Sequence, residues 1–186
     1  MSARWIVTIV CLAAGLCRAG TGLDTELVFK DLDDVARRPL EVAGKAATVL
    51  VFYWHDCPIS NSYAPELNRL RASHTNFAFY IVQVDPELTA AAAREHARIY
   101  DLRVPVLLDP QHRLIKLLHA TVTPETVVVG KDGRILYRGR IDDSYAAPGK
   151  KRATVTHHDL GDALDAITAG HPIKTRETSP VGCLIQ

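Results

Sequence analysis

One cysteine stands at the junction between a strongly predicted strand and a helix, and this junction limits the chain to a small set of folds. The run from Thr48 to Trp54 is β-branched, leucine or aromatic throughout, as expected of a strand buried on both faces of a sheet. Pro58 suits a first helical position. The apolar residues after it recur at helical spacings of four, four and three, namely Ile59, Tyr63, Leu67 and Leu70. Cys57 is therefore predicted to lie at the N-terminus of a helix that follows a buried strand.

The rest of the chain continues this alternation of strands and helices. Strands are predicted at 77–84, 104–108, 125–129 and 134–138, and helices at 88–100, 111–118 and 158–169. The last two strands flank Asp132-Gly133, a strong hairpin turn signal. Residues 24–44 form a predicted N-terminal β-hairpin, whereas 142–156 and 171–186 are expected to be irregular. The pattern predicts an α/β fold with a central mixed sheet, its parallel core extended by antiparallel strands at one edge.

Length and charge exclude some classes of protein. A chain of 186 residues suits a single domain with a substantial core. Its 22 lysine and arginine residues nearly balance 21 aspartate and glutamate residues, so it lacks the basic footprint of a nucleic-acid binder. The expected partners are small molecules or other proteins.

Residues 1–19 have the layout of a secretory signal peptide. Arg4 precedes an apolar run from Trp5 to Leu16, and small residues surround Ala19. The run is shorter than a membrane span requires, so no stable span is expected after cleavage. A lipoprotein that carries its lipid on Cys17 is the alternative, although Leu16 occupies a position where such signals usually have a small residue.

Export would leave two cysteines, Cys57 and Cys183, in the periplasm or outside the cell, where disulfides form and persist. The free amides and dipole at a helix N-terminus stabilise a thiolate and can lower a cysteine pKa to roughly 3.5 to 7.5. A protonated His55, two residues before Cys57, would add to this effect. Cys57 is therefore a candidate nucleophile. A buried structural cysteine is the alternative interpretation.

Several motifs resemble the thioredoxin superfamily over about residues 24–170. They are Trp54-His55-Asp56-Cys57-Pro58-Ile59-Ser60, Pro65 eight positions after Cys57, and Thr123-Pro124 before a strand. The resemblance implies a three-layer sandwich, with Thr123-Pro124 as a cis-proline loop beside the sulfur and with Trp54, Thr123 and Pro124 contacting the substrate. Closer still is a peroxiredoxin-like group of exported proteins (alkyl hydroperoxide reductase/thiol-specific antioxidant, redoxin), which the chain resembles in Cys-Pro-Ile-Ser-Asn, Gly139-Arg140-Ile141-Asp142-Asp143 and Gly182-Cys183.

Two departures prevent a direct transfer of either mechanism. Ser60 stands where a thioredoxin has its second cysteine, while Leu50 and Trp54 stand where a peroxiredoxin has Pro and Thr or Ser. Cys183 is the candidate replacement partner, because the tail 171–186 could extend across the radius of a small domain. The alternative is a frayed tail with an incidental or intermolecular cysteine. Ser60 is expected to support the site by a hydrogen bond to the thiolate, or else to be a solvated cap.

A metal centre is a further alternative. Copper or zinc could be held by Cys57 together with His55 and His157-His158. The spacing does not require it, and Asn61 occupies the position of the second cysteine in thioredoxin-fold copper carriers, so no metal or cofactor is predicted.

The sequence thus predicts an extracytoplasmic thiol oxidoreductase. Cys57 would attack a disulfide of a protein partner or a peroxide, Cys183 would resolve the product, and an external reductant would complete the cycle. The alternatives are a peroxide-specific antioxidant enzyme and a non-catalytic metal-binding protein of the same fold.

Overall fold

A five-stranded sheet forms the centre of the molecule, seen in a computed structural model that describes residues 26–186. The predicted signal peptide and the proposed lipid site lie outside the described residues. In chain order the elements are β1 (Phe29–Lys30), β2 (Ala36–Arg37), β3 (Ala47–Tyr53), α1 (Pro58–Ser62), α2 (Ala64–Ser73), β4 (Ala78–Gln83), α3 (Ala90–Ile99), β5 (Val106–Leu108), α4 (Arg113–Leu118), β6 (Val122–Thr123), β7 (Glu125–Gly130), β8 (Ile135–Gly139), β9 (Tyr145–Ala147), β10 (Lys150–Lys151), α5 (Asp159–Ala169) and β11 (Cys183–Leu184).

The sheet is mixed, as the sequence predicts. Its strand order is β5-β4-β3-β7-β8. Strands β3, β4 and β5 run parallel to one another, whereas β7 is antiparallel to β3 and β8 is antiparallel to β7. Strand β3 lies in the middle, and all seven of its residues are buried. This arrangement confirms the α/β fold with a parallel core and an antiparallel edge.

Helices cover both faces of this sheet, which gives three layers. Alternate residues of β3 enter different cores, since successive side chains of a strand point to opposite faces. Val49, Val51 and Tyr53 pack with apolar residues of α1, α2 and α5. Leu50 and Phe52 pack on the other face with apolar residues of α4. Both faces of the strand that leads to Cys57 are therefore fixed by packing.

Most element boundaries agree with the sequence pattern, with one interruption. The helix predicted from Pro58 is divided at Tyr63, the residue between α1 and α2, and Pro65 lies in the first turn of α2. A proline has no backbone N–H to donate, so it is tolerated where a new helix starts. The predicted N-terminal hairpin is present as the antiparallel pair β1 and β2.

Two segments expected to be irregular contain paired strands instead. Within 142–156, β9 and β10 form a short antiparallel hairpin. In the tail, β11 pairs antiparallel with β6, and Glu177 bridges Arg138 of β8. These pairings involve one to three residues, too few for a periodic pattern in the sequence. Within 26–186, none of the helices is long and apolar enough to cross a membrane.

Candidate active site

Cys57 is the residue that precedes α1, where the chain leaves the buried end of β3. Its backbone is extended, with φ −81° and ψ 112°, and its N–H donates to the Trp54 carbonyl at 3.0 Å. Its own carbonyl accepts from the Asn61 N–H at 3.0 Å, closing the first helical turn. The side chain is fully buried. The strand-to-helix junction predicted from the sequence therefore places the sulfur at the start of the helix.

The Thr123-Pro124 loop lies directly beside this sulfur. The peptide bond between the two residues is cis, as the family resemblance implies. The Thr123 carbonyl oxygen is 3.3 Å from Cys57 Sγ. A reduced Cys57 thiol could donate to this oxygen, so the loop is positioned to orient the sulfur.

The sulfur of Cys183 is joined to Cys57 in a disulfide. The two Cα atoms are 6.2 Å apart, within the usual range for bridged cysteines, and the two residues are separated by 126 positions in sequence. Cys183 lies opposite Thr123 in the pairing of β11 with β6, and the Ile185 N–H donates to the Thr121 carbonyl at 3.0 Å. The tail is thus an extended segment that covers the sulfur and the edge of β6.

Gly182 permits this close approach of two backbones. A Cβ atom at position 182 would lie 1.9 Å from the Thr123 carbonyl oxygen, much closer than van der Waals contact allows. Only glycine therefore fits where the tail crosses the cis-proline loop. The motif Gly182-Cys183 singled out in the sequence has a steric explanation.

A second attachment holds the tail to β8 independently of the disulfide. The Thr178 N–H donates to the Arg138 carbonyl at 3.0 Å, and the Arg140 N–H donates to Thr178 Oγ1 at 3.0 Å. Gly139 has φ +138°, and a Cβ there would lie 2.1 Å from Thr178 Oγ1. We call residues 176–178 the clamp and residues 179–186 the arm.

The comparisons with known proteins place these features in a family. A sequence profile of the AhpC/TSA family matches residues 27–138, more than half of the chain. The chain belongs to the AhpC/TSA family. Among curated proteins, the thiol-disulfide oxidoreductase ResA of Bacillus thuringiensis subsp. konkukian is 25% identical over 93 residues, which is 50% of this chain and 54% of that protein. The chain thus spans about half the length of the curated relatives it matches.

Solved structures share the fold over a larger part of this AhpC/TSA-family chain. An uncharacterized conserved protein from Geobacillus kaustophilus has a TM-score of 0.75 at 24% identity and covers 91% of this chain and 93% of its own. A secreted disulfide oxidoreductase of Mycobacterium tuberculosis, described as homologous to DsbE of E. coli, has a TM-score of 0.57 at 17% identity, covering 76% and 96% respectively. At these identities the likeness shows the thioredoxin-like fold.

Trp54 and Ser60, two of the predicted site residues, lie on either side of Cys57. Trp54 lines an apolar groove with Val84 and with Leu184 and Ile185 of the arm. Ser60 is fully buried, and its Oγ has no hydrogen-bond partner within the described residues. The solvated-cap alternative is therefore wrong for Ser60, and within the described residues its hydroxyl does not make the predicted hydrogen bond to Cys57 in the disulfide form.

His55 lies between two carboxylates at the rim of the site. Its Nε2 is 3.3 Å from Asp56 and its Nδ1 is 3.5 Å from Asp85, and its side chain is 22% exposed. Its imidazole also faces the ring of His96 at a centroid distance of 6.0 Å. Burial, followed by the charge of His55, lowers the pKa of His96.

Asn61 has a structural part in the site that its sequence position does not predict, since the sequence shows only that it replaces the second cysteine of thioredoxin-fold copper carriers. Its Oδ1 accepts from Tyr53 OH and from His96 Nε2, both at 2.9 Å, and its Nδ2 donates to the His55 carbonyl at 2.8 Å. Nothing in the spacing of the sequence indicates that α3 brings His96 to this position. The signal that could have found it is the polar residue itself, one turn after Cys57 and next to the buried Ser60.

Within the described residues, Cys57, His55 and the pair His157-His158 do not come together as the alternative metal centre requires. Within the described part of the chain, the one group of three or more His, Cys, Asp or Glu residues close enough to share an ion is Glu66, Asp142 and His158. Cys57 and His55 are not part of this group. The Asp142 carboxylate accepts from Tyr63 OH at 2.7 Å, so it already stabilises the packing of the junction between α1 and α2 against the loop after β8.

Proposed function

We propose that this chain is a two-cysteine thiol oxidoreductase in which Cys57 is the nucleophile and Cys183 resolves the covalent product. The observation that carries the proposal is the disulfide between Cys57 at the start of α1 and Cys183 on an arm laid against the cis-proline loop. Membership of the AhpC/TSA family and the named oxidoreductase activity of ResA support it.

With a disulfide substrate, the reaction proceeds by two thiol–disulfide exchanges. The Cys57 thiolate attacks one substrate sulfur, the substrate S–S bond breaks, and the departing thiolate takes up a proton. The Cys183 thiolate then attacks Cys57 Sγ, the mixed disulfide breaks, and the second substrate thiol leaves. The substrate disulfide has gained two electrons, and the protein holds the Cys57–Cys183 bond. An external dithiol must reduce that bond before the next cycle.

Peroxide is the second candidate substrate, favoured by the family to which the chain belongs. The Cys57 thiolate attacks one peroxide oxygen, the O–O bond breaks, and an alcohol or water leaves after protonation. The resulting sulfenic acid condenses with the Cys183 thiol to give the same disulfide and one water. Both substrates therefore lead to the same oxidised protein.

The oxidised form blocks access to its own nucleophile. Cys57 is fully buried beneath the arm, and the arm residues Gly182 to Ile185 fill the edge of β6. A substrate can reach Cys57 only when the bond is reduced and the arm moves aside. The clamp at Thr178 has hydrogen bonds of its own to β8, so the arm can move without detaching the whole tail.

Single-turnover measurements with the reduced protein test this function. Hydrogen peroxide and a peptide disulfide are each mixed with the protein in equal amounts, and the Cys57–Cys183 peptide pair is followed by mass spectrometry. We expect rapid formation of the pair with at least one substrate, no reduction of either substrate by Cys57→Ser, and a trapped mixed disulfide or sulfenic acid in Cys183→Ser. Equal reactivity of Cys57→Ser and the wild type would contradict the assigned nucleophile.

We further propose that the protein acts outside the cytoplasm. A disulfide is stable in an oxidising compartment, and a neighbouring fold belongs to a protein described as secreted. The expected leader at 1–19 supplies the export signal. N-terminal sequencing of protein recovered from a periplasmic or culture fraction should begin near residue 20, and an intact Met1 in the cytosol would argue against this location.

A further inference from the structure

We propose that Asn61 is the positioning residue of Cys57, holding the segment before the sulfur and the helical turn after it in one fixed geometry. The proposal rests on the function assigned to Cys57 above. Asn61 is one turn beyond Cys57 and makes no contact with the reacting sulfur in the disulfide, so any effect on chemistry must pass through the backbone. Asn61 lies in α1, and its side-chain amide hydrogen-bonds to β3, to α3 and to the segment before Cys57.

The hydrogen bonds of Asn61 join the two sides of Cys57. Its backbone N–H donates to the Cys57 carbonyl at 3.0 Å, which fixes the turn after the sulfur. Its side-chain Nδ2 donates to the carbonyl of His55 at 2.8 Å, which fixes the segment two residues before the sulfur. One residue thus holds both segments, because its backbone fixes the turn after Cys57 and its planar side-chain amide fixes the segment before it.

The other side of the amide is anchored to the core. Asn61 Oδ1 accepts from the hydroxyl of Tyr53, the last residue of β3, and from His96 Nε2 on α3, both at 2.9 Å. Because Nδ2 faces a carbonyl, Oδ1 must face the imidazole, and Nε2 of His96 must carry a proton. Tyr53 is fully buried and His96 is buried, so both anchors are stationary.

Replacement of Asn61 would leave these polar groups without partners in a partly buried region. The Tyr53 hydroxyl, the His96 N–H and the His55 carbonyl would each lose the hydrogen bond that holds the loop. The loop would then be free to shift, and a displacement of about 1 Å in a reacting group can lower a rate by about 100-fold. We expect Asn61→Ala to slow the reaction of Cys57 by about 10- to 100-fold.

The chain offers a matched control in Asn68. Its side chain also donates to a backbone carbonyl, that of Asp101 at 2.6 Å, and accepts from a backbone N–H, that of Arg103 at 2.9 Å. These contacts join α2 to the loop after α3 and do not touch the segment around Cys57. Asn68→Ala therefore removes comparable hydrogen bonds at a distance from the sulfur.

The test is alkylation of Cys57 by iodoacetamide as a function of pH. The full chain carrying Cys183→Ser is reduced, and modification is read in the peptide that contains Cys57, so the result does not depend on any turnover assay. We expect Asn61→Ala to lower the plateau rate or to move the midpoint of the pH profile, while Asn68→Ala leaves both unchanged at a similar loss of melting temperature. Unchanged alkylation in Asn61→Ala would overturn the positioning role.

A second variant keeps the proposal testable if Asn61→Ala does not fold. Asn61→Asp has nearly the same shape and retains an acceptor for Tyr53 and His96, but it cannot donate to the His55 carbonyl. We expect it to fold and still to react slowly at Cys57. A folded Asp variant with the wild-type rate and pH profile would show that the His55 contact does not position the sulfur. If alkylation is slow in the Asn61 variants but the wild-type protein turns over neither peroxide nor a disulfide, the proposed function is refuted and the positioning role of Asn61 is retained.

Discussion

Reduction of the Cys57–Cys183 bond should lower the stability of the protein by an amount that can be calculated from the length of the loop it closes. The two cysteines are 126 residues apart in sequence. In the chain-entropy model, closing a loop of this size removes enough freedom from the unfolded chain to stabilise the fold by about 5 kcal/mol. For a chain of this length, each kcal/mol changes the melting temperature by about 2 to 4 °C. The expected decrease on reduction is therefore about 10 to 20 °C.

Thermal unfolding followed by circular dichroism, with and without dithiothreitol, measures this difference. Cys183→Ser is the matched control, because it cannot form the bond and so reports any other effect of the reductant on the melting temperature. It should melt near the temperature of the reduced wild type in both conditions. A decrease of less than about 3 °C, in a sample whose unreduced digest contains the Cys57–Cys183 pair, would refute the loop-entropy argument.

Three further predictions concern Gly182 in the arm, Asp143 in the loop after β8, and Ser60 in α1. Gly182→Ala adds a Cβ that collides with the backbone of β6. Formation of the disulfide after oxidation, measured by alkylating the free thiols at set times, should therefore slow by about tenfold or more. An unchanged rate would contradict the close packing. Hydrogen bonds from the Thr156 side chain and two backbone amides lower the pKa of Asp143. Below about pH 4 the unfolded state therefore binds more protons than the folded state, and stability falls. The melting temperature of Asp143→Asn should decrease less steeply with acid than that of the wild type. Ser60→Cys places a second thiol one turn from Cys57 and should add insulin reductase activity. A folded variant without this gain would count against the match of residues 57–60 to the thioredoxin active-site motif.

The sequence predicted the centre of the site because its signals are local. A continuous β-branched and aromatic run predicts β3, and Pro58 after Cys57 predicts the start of α1. The Asp132-Gly133 turn likewise predicts the β7–β8 hairpin, in which Gly133 has φ +73°. Each of these features is determined by residues that are adjacent in the chain.

The features that sequence reasoning missed depend on contacts between distant segments. The strand pairing of β11 with β6 involves only two residues on each side and requires Gly182 to meet a loop 59 positions earlier. The β9–β10 hairpin carries a detectable signal in Pro148-Gly149, where Gly149 has φ +72°, but its strands are too short for a periodic pattern. The Asn61 network depends on α3 and has no local signature.

Under the proposed function, the separation of the clamp from the arm lets Cys183 serve as the partner of Cys57 although Ser60 replaces a local second cysteine. Four residues lie between Thr178, which is held to β8, and Cys183, so the two Cα atoms are five residue steps apart. A fully extended segment of that length reaches about 17 Å, at roughly 3.3 Å per residue. A released Cys183 thus stays close to Cys57, at an effective concentration in the millimolar range that is typical of short flexible linkers. In the proposed cycle, Cys183 therefore competes favourably with external thiols present below that concentration, and displacement of the arm exposes Cys57 to the substrate.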